Sequence, residues 1–74
     1  MPLVAIKGVS GYLSPEQKKT LIERVTDAVL SVEGEGIRPV TWVILEDVPE
    51  GQWGVGGSIA TAQMLRDMAA ASSK

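Results

Sequence analysis

The chain has 74 residues, 45% of them hydrophobic and 22% charged, with a net charge of −2, no histidine and no cysteine. A domain of this size buries only about 60% of the surface its unfolded chain exposes, and neither disulfides nor a Cys/His metal site can supplement its core. The composition excludes the basic footprint of a nucleic-acid binder, a membrane-spanning run and a signal peptide, and the missing cysteines point to a cytoplasmic protein.

Met1-Pro2 opens the chain, and a small second residue lets the initiator Met be trimmed, so Pro2 is expected to become the amino terminus and to carry a secondary amine. Leu3 to Ile6 is a short, unbroken apolar run, the pattern of a strand buried on both faces. Lys7 and Gly8 end it, and Val9 to Leu13 form a connecting loop. Ser14 is the expected N-cap of a helix, with Pro15 at N1 and Gln17 at the capping-box spacing. Leu21, Ile22, Val25, Ala28, Val29 and Val32 then recur as one apolar stripe at helical period. Glu16, Lys18, Lys19, Glu23, Arg24 and Asp27 supply the wet face, and Gly34 and Gly36 stop the helix.

Val40 to Glu46 is dense in β-formers and reads as a second strand, opened by Pro39 where a missing N–H is tolerated. Strand, helix and strand make a βαβ unit, right-handed and parallel. Two parallel strands alone are too few for a stable sheet, so a second copy is expected to extend it, which also answers the surplus of apolar residues. Asp47 to Gly57 holds Pro49 and the glycines at 51, 54, 56 and 57, a turn followed by a tight hairpin or bulge anchored by Trp53 and Val55. It is no phosphate loop: GxxxxGK[ST] is missing, and Ile59 stands where GxGxxG needs its third glycine. Ile59, Ala62, Met64, Leu65, Met68 and Ala69 predict a short helix that docks on a neighbour and frays from Ala70 to Lys74. Residues 1–74 read as one domain.

Chemistry has few places to reside. Without His or Cys, the commonest general base near neutrality and the commonest soft nucleophile are missing. Carboxylates, lysines, Tyr12 and the terminal amine remain, and only an α-amino group ordinarily titrates near neutrality, at about 8. Desolvation pulls an ammonium pKa down, so Pro2 in an apolar pocket would be poised as a general base. The plainer alternative is that Pro2 merely opens an edge strand. Glu46, Asp47 and Glu50 read as a solvated turn, since no His joins them to hold a metal.

Three features coincide: Pro2 at the head of a short strand, Ser14-Pro15-Glu16-Gln17-Lys18 opening the helix, and Gly51-Gln52-Trp53-Gly54-Val55-Gly56-Gly57 after the second strand. At this spacing they resemble the 4-oxalocrotonate (2-hydroxymuconate) tautomerase family over about residues 2 to 59. The resemblance implies an α+β fold in which two βαβ protomers form a four-stranded sheet with helices on one face. Three such dimers would make a hexamer.

It also implies that Pro2 is the catalytic base and acid in keto–enol proton transfer on a small enol or keto acid, with no metal or organic cofactor, and that Trp53 walls the pocket. The two arginines of a typical member fall at Leu13 and Trp42, so both substrate-binding cations are missing. Arg38, about 13 Å from Trp42 if the segment is a strand, and Tyr12 are the nearest substitutes. Three readings stay open: a tautomerase adapted to a less acidic, more aromatic substrate stacked on Trp42 and Trp53; one subunit of a hetero-oligomer whose partner supplies arginines; or a non-catalytic, assembly-forming relative.

Overall fold

One parallel pair of strands organises the backbone. β1 (Leu3–Val9) and β2 (Trp42–Val48) run in register from Leu3 opposite Trp42 to Val9 opposite Val48, in a computed structural model that describes residues 1–72. Backbone bonds carry the ladder one step past each end: the Trp42 N–H donates to the Pro2 carbonyl at 3.0 Å and the Ser10 N–H to the Val48 carbonyl at 2.8 Å. Parallel neighbours require a crossover, supplied by α1 (Pro15–Glu33). A hairpin of β3 (Gly54–Val55) and β4 (Ser58–Ile59) and a final helix α2 (Ala62–Ser72) complete an α+β fold.

α1 starts as its sequence demands. The Ser14 hydroxyl accepts from the Gln17 N–H at 3.1 Å while the Gln17 side chain accepts from the Ser14 N–H at 2.9 Å, a complete capping box. It ends at Gly34, whose φ of 105° an L side chain rarely adopts, with the Gly34 N–H closing on the Leu30 carbonyl. The hairpin turn places Gly56 and Gly57 both at positive φ, 58° and 87°, as a two-residue primed turn requires.

Several expectations change. β1 reaches Val9, which is buried, so the connecting loop begins only at Ser10. The strand is not covered on both faces. Val4 and Ile6, with Val43 and Leu45, are half-buried on the side of α1, whereas Leu3, Ala5, Trp42 and Ile44 alternate into the open. β2 begins at Trp42, and Pro39 lies inside a 3₁₀ turn over Glu35–Val40 that folds back on α1.

The helical stripe shifts too. Leu21, Val25 and Val29 are half-buried as expected, but Ile22 and Ala28 are exposed, and Val32, in the last turn, is 87% exposed. Leu30, not part of the expected stripe, is buried to 4%. The 3₁₀ turn explains why apolar periodicity alone misjudges this end: a second element, invisible to the period, packs there. Val55 is likewise exposed and anchors nothing, while Trp53 is half-buried.

α2 docks within its own chain. The Ala62 N–H donates to the Glu50 carboxylate at 2.7 Å, and Arg66 Nη1 donates to the Gly11 carbonyl at 3.2 Å. Glu50, exposed in its turn as expected, therefore also caps a helix, and its charge suits the positive end of the helix dipole. Asp47 is also engaged, by Lys18 of the expected wet face, at 2.7 Å. The helix continues through Ala70 to Ser72, and the rest of the segment expected to fray, Ser73 and Lys74, lies outside the described residues.

Two stability effects follow. Leu30→Ala should cost about 2–5 kcal/mol, read as a lower urea midpoint at fixed protein concentration. Glu50→Ala should cost about 1 kcal/mol and act locally, speeding amide hydrogen exchange across residues 62 to 72 while leaving α1 protected.

Candidate active site

Pro2 stands at the head of β1, half-buried, with its carbonyl held by the Trp42 N–H. Its nitrogen lies at the end of the strand, where trimming of Met1 would leave a secondary amine. Around it the open face of the sheet is apolar: Leu3 is 59% exposed, its cross-strand neighbour Trp42 53%, and Ile44 follows two residues on.

The other candidates do not gather around Pro2 within one chain. Leu13 lies beyond the far end of β1, about 20 Å away along the strand. There it lines a small cleft of about 80 Å³ with Ile6, Tyr12, Leu21, Leu45, Glu46 and Leu65. Lys18 and Asp47, paired to each other, also border this cleft, and Gly8 in its wall has open space where a side chain would stand. Trp53 belongs to the C-terminal segment, where its carbonyl accepts from the Ala60 N–H at 2.8 Å.

Arg38 sits in the 3₁₀ turn rather than a strand. At about 2 Å rise per residue, it stands closer to Trp42 than an extended segment would put it. Its guanidinium is engaged elsewhere: Nε donates to Glu35 at 2.6 Å and Nη2 to Asp27 at 2.9 Å. The bond to Glu35, then that to Asp27, raise its pKa still further above arginine's ordinary value, so its charge is permanent. Among the described residues, no three Asp or Glu side chains gather where they could hold a metal ion, and no helix is long and apolar enough to cross a membrane.

Sequence reasoning passed over Arg66, because it lies beyond the motifs that carry the resemblance. The structure brings it to the loop after β1, onto Gly11. The only signal available was negative: a lone cation in a helix otherwise rich in Ala and Met.

The likeness to known proteins covers these elements. A family model described as tautomerase enzyme matches residues 2–63. A probable tautomerase, K2, of Dickeya dadantii is 36% identical over 61 residues, covering 82% of this chain and 90% of that protein. A 4-oxalocrotonate tautomerase isozyme of Methylibium petroleiphilum superposes with a TM-score of 0.70 at 34% identity, covering 86% of this chain and 97% of the other. The wild-type F6 fused 4-OT, an asymmetric trimer, superposes with a TM-score of 0.72 at 28% identity over 88% of this chain but only 50% of its own. By sequence span and by fold, the chain belongs to the 4-oxalocrotonate tautomerase family of the tautomerase superfamily.

Proposed function

We propose that the protein is a cofactor-independent isomerase in which the Pro2 amine, freed by removal of Met1, moves a proton between oxygen and carbon of a small enol acid. Family membership supports a tautomerase role. The observation that carries the finer reading is the setting of Pro2: its carbonyl is pinned into the parallel ladder by the Trp42 N–H, which fixes the residue at a strand end among Leu3 and Trp42. A general base needs a fixed position and a pKa near the working pH, and an apolar wall lowers that of an ammonium.

The site would be completed by a second copy. β1 has a free edge, and its open face carries Leu3, Trp42 and Ile44 to water, the kind of contiguous apolar surface that marks an interface. If two copies join edge to edge with their helices on one face, the two-fold axis stands perpendicular to the sheet and the paired strands run antiparallel. Full overlap of Leu3–Val9 with its symmetry mate then sets Pro2 opposite the partner's Ser10, at the mouth of the partner's cleft. Fusion of two such units into one longer chain, as the 50% coverage of the F6 protein suggests, fits a dimer as the basic unit. Stacking of dimers through the open sheet faces would give a hexamer.

The substrate would be an aryl or alkyl enol acid with few carboxylates, because Leu13 and Trp42 offer apolar surface rather than charge. The purified protein should convert phenylenolpyruvate faster than 2-hydroxymuconate, and Pro2→Ala should lower kcat/KM by about 10²–10⁴. Intact mass should show Met1 gone. A retained Met1, or full activity in Pro2→Ala, ends the amine mechanism. Inactivity of a well-folded oligomer on both substrates shifts the reading to a hetero-oligomer or a non-catalytic relative. Ile44→Asp should reduce the assembly seen by native mass spectrometry to smaller species, with α1 still helical by circular dichroism.

A further inference from the structure

An enol acid carries at least one carboxylate, and a site with Leu at position 13 and Trp at 42 has no obvious cation to receive it. The cations nearest the site are mostly spoken for. Lys18, bordering the cleft, is paired with Asp47 at 2.7 Å. Arg38 is held by Asp27 and Glu35.

Arg66 differs from both. It hangs from α2 over the loop after β1, with Nη1 donating to the Gly11 carbonyl at 3.2 Å. Its other bonds are long ones to the Gln63 side chain, at 3.4 Å from Nε and 3.3 Å from Nη2. It forms no ion pair with any described residue. A guanidinium offers five N–H donors, so donors remain for a ligand, and their fork matches a carboxylate.

The helix that carries it is held in place. The Ala62 N–H is tied to Glu50, Thr61 Oγ1 accepts from the Met64 N–H at 3.2 Å, and Leu65 stands in the wall of the same cleft as Leu13 and Tyr12. The cleft, whose wall also carries Glu46 and Asp47, thus joins a largely apolar body to a neighbouring cation that pairs with no described carboxylate. Arg66 also lies past residue 63, where the family match stops.

We propose that Arg66 is the carboxylate-binding residue of the active site, receiving the acid group of a monocarboxylate whose apolar part rests against Leu13 and Leu65, with the amine of the partner's Pro2 across the edge. This rests on the tautomerase reading and on the antiparallel pairing of β1 edges given above. One available guanidinium also accounts for a preference for one carboxylate over two.

The test uses calorimetric titration of the native oligomer with cinnamate, an unreactive aryl monoacid, and with methyl cinnamate, its uncharged ester. Arg66→Gln should weaken cinnamate binding by about tenfold or more and leave the ester unchanged. Arg66→Lys should recover part of the loss, and thermal melting should confirm that both variants stay folded. Unchanged cinnamate affinity in Arg66→Gln overturns the proposal. So does an equal loss for acid and ester, which would mark a packing role, or no binding of cinnamate to the native protein. Binding does not require turnover, so an acid-selective effect of Arg66 in a protein inactive on phenylenolpyruvate would count against the tautomerase reading while leaving the carboxylate site standing.

Discussion

The ladder that joins Leu3 to Trp42 and Val9 to Val48 is covered by α1 on one side and by nothing in its own chain on the other. A single amphipathic helix has one apolar stripe and can shield one face of a two-stranded sheet. Burial of the second face and pairing of the free β1 edge are what the proposed second copy would supply. The same ladder fixes Pro2, whose carbonyl accepts the first rung. The proposed site between copies and the covering of the open face therefore rest on the same ladder. Within a single protomer, Pro2 and Leu13 occupy opposite ends of β1. In the proposed dimer, antiparallel pairing of two such strands would bring the amine of one copy to the cleft of the other.

The charged residues divide into those that hold the scaffold and those left for chemistry. Asp47 fastens the end of β2 to the start of α1 through Lys18. Glu50 seats α2 by accepting from its first N–H. Arg38 ties the 3₁₀ turn to α1 through Asp27. These pairs are partly solvated, and such contacts stabilise by small amounts; their weight lies in orienting short elements that have few buried side chains of their own. With those charges engaged and no histidine in the chain, the terminal amine is left for the proposed proton transfer and Arg66 for the proposed carboxylate contact.

The C-terminal segment extends beyond the family match. Two glycines at positive φ close the hairpin, Ala60 and Ala62 are buried as small residues where the chain turns back, and α2 follows at once. Within the chain it meets the loop after β1, through Arg66 and Gly11. A helix of this length is marginal alone, so Glu50, Leu65 and Arg66 together decide that it stands over the cleft.

By itself the sequence determined what local physics controls. The Ser14–Gln17 capping box, the stop at Gly34, the glycine hairpin and the order strand, helix, strand are set by neighbours a few residues apart. Pro2 as the one candidate base ordinarily titrating near neutrality followed from composition. Tertiary structure decided what depends on residues far apart in the chain. Leu30 rather than Val32 is buried because a 3₁₀ turn packs beside the end of the helix, and Val9 belongs to β1 because β2 continues opposite it. Glu50 and Asp47 became structural only when α2 and Lys18 were brought to them. Arg66 reached Gly11 from 55 residues away, and no periodicity or spacing encodes a contact of that separation, which arises only when the chain has folded back on itself.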